Sequence, residues 1–210
     1  MHVFFSSKNI ISLENEKMIK KIFHQELDFY TELNFYQQFA DSLSCIPKLI
    51  KEEPQILYLE YLNGRSVYDI ELEQQIQIGK TLAQFHNQTY NEQTGLALIH
   101  YDTNLNNYLW FNHQIYLFDF SEITLDLPLC DVYSVSLFFA ELLPAAIFKH
   151  FINSLYQIYQ QNIQFQFLPA LHVFQKERQR FENRREFLRK SIHHYQDYLN
   201  NVQIIGQLAH

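Results

Sequence analysis

Three short apolar runs open the chain: VFF at 3–5, IISL at 10–13 and MIKKIF at 18–23. The stretches between them, SSKN and ENEK, are turn-forming, so the pattern predicts two hairpins and a three-stranded antiparallel meander. From Leu27 to Phe39 the spacing changes to apolar residues at 29, 30, 33, 36 and 39, one face of a helix. Beyond Pro47, LIKEEPQILYLEYL reads as two further strands, the second from Ile56 to Tyr61. Five strands and one helix are therefore expected by about residue 62. Past Gly64 the pattern is mainly helical. A helix is predicted over 72–87, with Ile76, Ile78, Leu82 and Ala83 among its apolar positions. Short strands at 108–111 and 115–119 flank the turn FNHQ. Helical patterning then runs from about 129 to the end, interrupted by Pro144 and Pro169. The most apolar window, Leu127 to Phe148, contains Asp131, Ser134, Ser136, Glu141 and Pro144. It reads as a buried helix, because hydrocarbon penalises those charges in a membrane span. The fold class is α+β, with an expected division into a sheet-rich part, 1–62, and a helical part, 63–210.

Composition narrows the chemistry. There are 4 glycines in 210 residues, Gly64, Gly79, Gly95 and Gly206, and none precedes residue 64. A GxGxxG fingerprint and a P-loop are excluded, since both use glycine to bring backbone close to phosphate. The formal net charge is −7, which speaks against a general nucleic-acid or anionic-membrane binder. Cys45 and Cys130 have no metal-ligand spacing and are expected to be reduced thiols of a cytoplasmic protein. The N-terminal stretch lacks a basic segment followed by a long apolar one, so no signal peptide is expected. His193 and His194 have no third ligand at convincing spacing, and no zinc site is read there.

One segment concentrates chemistry: LIHYDTNLNNYLWFNHQIYLFDFSE at 98–122. It holds His100, Asp102 and Asn107, a short hairpin, then Asp119 and Phe120. Asp102 and Asn107, five apart on a loop, can point into one cleft, and Asp119 just past a hairpin can return to it. Phosphoryl transfer needs such a set: a carboxylate beside the attacking hydroxyl, and oxygen ligands holding Mg²⁺ against nucleotide phosphates. The H-x-D-x4-N and D-F pattern resembles the catalytic and metal-binding loops of the protein-kinase-like fold, a two-lobe fold with an antiparallel-sheet N-lobe and a helical C-lobe. Within that fold it is most similar to the small-molecule phosphotransferase branch: aminoglycoside and choline phosphotransferases and the kinases of lipopolysaccharide sugars.

The resemblance implies roles. Asp102 would position or deprotonate the acceptor hydroxyl, Asn107 and Asp119 would hold Mg²⁺, and His100 would brace the loop. ILYLEYLNGRSVYD resembles the hinge between lobes, where Glu60 to Leu62 would offer backbone groups to the adenine of ATP. IGKTLAQFHN resembles the helix leading into the catalytic loop. LPLCDVYSVSLFF resembles the long buried helix that starts with a structural Asp, here Asp131. In MIKKIF one lysine should face the phosphates. Strand alternation alone leaves Lys20 and Lys21 open, and the family pattern favours Lys20. Glu32 is its expected helix partner, ahead of Glu26. Ser6, Ser7, Lys8 and Asn9 would form the phosphate-covering loop, which here lacks glycine. Position 101 is Tyr, where the small-molecule branch usually has Gly and protein kinases usually have Arg. Asp119 and Asp131 are 12 residues apart, too close for an activation loop and a peptide-docking segment.

The expected activity is therefore ATP-dependent, Mg²⁺-assisted phosphorylation of a hydroxyl on a small molecule or sugar. Two other readings stand beside it: a pseudokinase acting as a binding module, and an atypical kinase acting on a protein or RNA-linked partner. Residues 176–190 carry seven basic and three acidic side chains. They read as a solvated amphipathic helix with Phe181, Leu188 and Ile192 turned inward. If that helix instead lines the acceptor site, it favours an acidic or phosphorylated acceptor.

Overall fold

The computed structural model describes residues 3–5, 9–187 and 195–210. Its first part is a five-stranded antiparallel sheet with one helix. Strands β1 (Val3–Phe5), β2 (Asn9–Asn15) and β3 (Met18–Phe23) form the expected meander, followed by α1 (Glu26–Phe39), β4 (Leu49–Glu53) and β5 (Ile56–Glu60). The spatial order is β1-β2-β3-β5-β4. At the β2–β3 corner, Asn15 Oδ1 accepts the Lys17 amide at 2.9 Å, an Asx turn that needs no glycine.

The rest of the chain is built from helices and short strand pairs. Strand β6 is Arg65–Ser66 and α2 is Leu72–Gln75. Helix α3 (Ile78–Thr89) is followed by β7 (Ala97–Ile99), β8 (Tyr108–Phe111), β9 (Gln114–Leu117) and β10 (Thr124–Asp126). Helices α4 (Leu129–Leu142), α5 (Ala145–Asn162), α6 (Leu171–Phe187) and α7 (Tyr195–Leu208) complete it. Among the described residues, no helix is long and apolar enough to cross a membrane.

Two differences from the sequence expectation have clear causes. The single helix expected over 72–87 is two. Its first turn is closed by a capping box between Glu71 and Gln74, and Gln75 Nε2 donates to the carbonyls of Val67 and Ile70, so that turn is held to the preceding loop. The pair β7–β10 was not anticipated. It joins Ile99 to Thr124 and Ala97 to Asp126, tying together the two ends of the segment that carries His100, Asp102, Asn107 and Asp119. Three-residue strands give too little alternation to be read from sequence.

The core runs continuously from sheet to helices through aromatic rings. Phe120 stacks on Phe35 of α1 at 4.1 Å between ring centroids, meets Tyr36 edge-on at 5.6 Å, and approaches Phe85 of α3 and His100. Helix α4 is buried nearly all round, as an apolar helix in the middle of a bundle must be. Cys45 and Cys130 are free thiols within this core.

Glycine scarcity has a structural counterpart. Among the described residues, five with side chains occupy left-handed backbone: Gln55, Tyr101, Asn112, His113 and Asp119. Asn112 and His113 make the two-residue turn of the β8–β9 hairpin, where φ is positive at both positions. Gly64 and Gly79 sit at close approaches, Gly95 takes left-handed backbone, and Gly206 does neither. A Cβ on Gly79 of α3 would lie 2.6 Å from the Leu155 carbonyl oxygen of α5. A Cβ on Gly206 of α7 would lie 3.4 Å from a Phe174 ring carbon. We therefore expect Gly79→Ala to lower stability by about 1–3 kcal/mol through overpacking. Gly206→Ala should be neutral or gain up to about 1 kcal/mol of helix propensity. Urea unfolding of the two variants measures both.

Candidate active site

The site starts with strand register. On β3, Lys21 lies opposite Ile11 of β2 and Leu57 of β5, while Lys20 lies opposite Ser12 and Tyr58. Successive side chains face opposite sides of a sheet, so only one of the two lysines can point inward. It is Lys21, and this corrects the preference for Lys20. The reason is that Phe23, two residues on, must enter the core and takes Lys21 to the same face. Lys20 turns outward, with its ammonium 5.8 Å from the Tyr58 ring centroid.

Lys21 Nζ donates to Glu32 Oε2 at 2.6 Å and to Asp119 Oδ1 at 2.8 Å. Three separate segments, β3, α1 and the loop after β9, thus converge on one buried ammonium. Burial alone would lower the Lys21 pKa; the carboxylates of Glu32 and Asp119 outweigh it and hold it above its ordinary value. Burial, with the like charge of Asp119 beside it, raises the fully buried Glu32 carboxyl to about 7 against the opposing pull of Lys21. Asp119 is also penalised by burial, but Lys21 and the Ser121 hydroxyl hold its carboxyl below the usual range.

The loop that carries Asp102 is shaped from beneath by Asp131, at the start of α4. Its Oδ2 accepts the His100 amide at 2.7 Å and its Oδ1 the Tyr101 amide at 3.0 Å. His86 Nε2 donates to the same carboxylate at 3.1 Å, and His86 Nδ1 lies 2.8 Å from the Tyr159 hydroxyl. Burial alone would raise the Asp131 carboxyl, but His86, His100 and the amide donors hold it below its ordinary value. His100 is fully buried, and its Nε2 donates to the Phe118 carbonyl at 3.0 Å. It therefore ties the loop that carries Asp102 to the strand end that delivers Asp119. His86 was not singled out in the sequence; the only signal was a polar residue on the inward side of an amphipathic helix.

Asp102 and Asn107 are brought together as their spacing suggests. Asn107 Nδ2 donates to the Asp102 carbonyl at 2.9 Å and to Asp102 Oδ2 at 3.3 Å. Both contacts use the Asn107 Nδ2 group, so Asn107 Oδ1 is not engaged by Asp102. Asn107 and Asp119 line one cavity of about 590 Å³ with Lys21 and Glu32. Its apolar walls are Ile11, Ile19, Leu59, Leu62, Leu109 and Phe118, and Glu60 completes the hinge side. At the hinge, the Glu60 amide is spent on the Lys48 carbonyl and the Tyr61 amide on the Lys17 carbonyl. The Leu62 amide has no partner among the described residues. Ser6, Ser7 and Lys8 of the expected phosphate-covering loop lie outside the described residues, as do Leu188 and Ile192.

These donors suit magnesium. Mg²⁺ takes oxygen ligands and is usually held by one or two protein oxygens together with substrate phosphates. Asn107 Oδ1 and the Asp119 carboxylate supply that partial set on one cavity wall. Among the described residues no cluster of three His, Cys, Asp or Glu could hold a metal alone.

No family model and no curated protein sequence matches the chain. Solved structures do. A choline/ethanolamine kinase family protein from Mesorhizobium loti superimposes with a TM-score of 0.63 at 11% identity, over 98% of this chain and 92% of that one. The fold is that of the protein-kinase-like small-molecule phosphotransferases. An aminoglycoside phosphotransferase with ADP bound matches with a TM-score of 0.60 at 12% identity, covering 99% of this chain and 93% of that one. An amicoumacin kinase in complex with AMP-PNP and Ca²⁺ matches with a TM-score of 0.61 at 12% identity, over 99% and 87%.

Within this fold, the basic stretch lies on α6 against the loop that carries Asp102. Phe181 is buried, as expected. Arg184 Nη2 donates to Glu122 Oε2 at 2.8 Å, and Arg184 Nη1 is 3.5 Å from Asp102 Oδ1. Sequence reasoning had no means of finding this contact between remote segments.

Asp131 gives the test of how the loop is held. We expect Asp131→Asn to cost about 3 kcal/mol, because it leaves buried donors without an ionised acceptor. The folded carboxyl sits below its unfolded pKa, so its contribution is present above about pH 4 and is lost as pH falls through the folded value. Chemical denaturation across pH should therefore show a shallower acid limb in Asp131→Asn than in the parent.

Proposed function

We propose that this protein is an ATP-dependent phosphotransferase that phosphorylates a hydroxyl group of a small molecule or sugar with the help of Mg²⁺. The observation that carries this reading is the convergence of Lys21, Glu32, Asn107 and Asp119 on one cavity, with Asp102 at its edge. The apolar walls suit a purine ring, and the unpartnered Leu62 amide is a donor for its edge. Lys21 is placed for the phosphates, and Glu32 keeps that ammonium extended across the cavity.

In this reading Asp102 accepts the proton of the acceptor hydroxyl as its oxygen bonds to the γ-phosphorus. The bond from that phosphorus to the bridging oxygen breaks, and ADP leaves with the electron pair. Mg²⁺, held by Asn107 and Asp119 with the phosphates, would neutralise charge on the transferring group. The Asn107 amide, by donating to Asp102, keeps the carboxylate turned toward the acceptor side. The fold of the neighbours supports the reaction class, and the short interval between Asp119 and Asp131 supports a small acceptor.

The first test is Mg-ATP binding. At a hundredfold excess over its dissociation constant, Mg-ATP should stabilise the chain by about 2.7 kcal/mol in thermal unfolding. Lys21→Ala and Asp119→Ala should abolish that shift, while Lys20→Ala should retain it. Asp102→Ala should keep the shift and lose turnover. A chain that binds Mg-ATP without turning over any hydroxyl acceptor would be a binding module; one that shows no shift would sink the reading.

A further inference from the structure

Tyr101 occupies left-handed backbone, with φ of 66°, next to Asp102. A bulky residue there is strained and persists only where its surroundings demand it. Its ring supplies a reason. The Arg180 guanidinium lies 3.9 Å from the ring centroid and that of Arg184, one helical turn on, lies 5.7 Å away. Arg180 is the anchor: it pairs with Glu177, and its Nη2 donates to Ser134 Oγ, which accepts Thr103 Oγ1 of the catalytic loop. Arg184 is the outward one, and its side chain keeps 43% of its exposure.

Two observations say which side of Asp102 this shelf serves. Neither Tyr101 nor Arg184 lines the nucleotide cavity. Arg184 approaches Asp102 Oδ1, while Asn107 of the cavity wall holds Asp102 Oδ2. The shelf therefore faces where an acceptor would enter. The carboxylates along it are already engaged by arginines of α6: Glu122 by Arg184, Glu141 by Arg185 and Glu177 by Arg180. A cationic acceptor would have to break those pairs. An oxyanion would share with Glu122 a planar guanidinium fork that is partly exposed and pre-oriented on an aromatic face.

We propose that Arg184, held on the Tyr101 shelf by its neighbour Arg180, is an acceptor-specificity residue and that the acceptor carries a phosphate or carboxylate group near its reactive hydroxyl. This rests on the phosphotransferase reading and adds the charge of the substrate. Arg184 meets the anionic group, Tyr101 and Arg180 position it, and Arg185 belongs to the α4–α6 contact.

The test is calorimetric titration of the full chain saturated with Mg-AMP-PNP, using glycerol 3-phosphate, glycerate, glycerol and choline. Glycerol 3-phosphate, glycerate or both should bind at least tenfold more tightly than glycerol and choline. Which of the two binds tells phosphate from carboxylate. Arg184→Gln should erase the preference, and Arg184→Lys should retain part of it. Tyr101→Gly relieves the backbone while removing the shelf, so it should weaken the anions and leave Mg-AMP-PNP affinity unchanged. Lys176→Gln, on the far end of α6, should change nothing. Choline or glycerol binding as tightly as the anions, an anion preference that survives Arg184→Gln, or no anion binding by nucleotide-loaded protein would each overturn the proposal. A chain that fails to take up Mg-AMP-PNP would instead remove the phosphotransferase reading beneath it.

Discussion

One buried ammonium holds this molecule's site together. Lys21 is the meeting point of a strand, a helix and a loop that are far apart in the chain, and it carries two carboxylates at hydrogen-bond distance. Burying three ionisable groups is costly, and removing one partner of such a set typically costs about 3–5 kcal/mol. The arrangement survives because each carboxylate brings an element that is fixed independently. Glu32 rides on α1, whose Phe35 and Tyr36 pack on Phe120, and Phe120 follows Asp119 directly. The ion triad and the aromatic cluster are thus two layers of the same junction. The apolar layer sets where the elements sit, and the polar layer sets which way they face.

Asp131 plays the corresponding part beneath the loop that carries Asp102. It accepts two successive backbone amides, which bends the chain at His100 and Tyr101 and points Asp102 outward. The left-handed conformations of Tyr101 and Asp119 flank this region. In a chain with 4 glycines, such positions fall to residues with side chains, and at these two the side chain has work to do. The Asp119 carboxylate meets Lys21, and the Tyr101 ring carries the arginines of α6. The absence of glycine before residue 64 therefore does not mark a chain without tight turns. Strain that glycine would relieve is carried where a side chain is needed.

Much of this was legible in the linear pattern. The meander, α1 and the next two strands announce themselves by period and by turn residues between short apolar runs. The loop from His100 to Asp119 is legible because its residues are close in sequence and their types match one chemistry. The β7–β10 pair and the division between α2 and α3 were not, since short elements are decided by partners and caps more than by propensity. His86 was hidden because a buried histidine on a helix has no local signature apart from burial itself.

The sequence by itself determined the order of the main elements, the presence of a carboxylate, an amide and a second carboxylate within one short segment, and the lack of glycine where phosphate-binding loops usually have it. Tertiary structure alone decided that Lys21, not Lys20, faces the cavity, because the side chosen by a strand depends on which neighbours need burial. It alone decided that Glu32 and Asp119 share that lysine, and that α6 lies across Tyr101 and Asp102. Periodicity constrains a residue relative to its neighbours in the chain. Which remote charge it meets is set by how the finished elements pack, and that information is in no single segment.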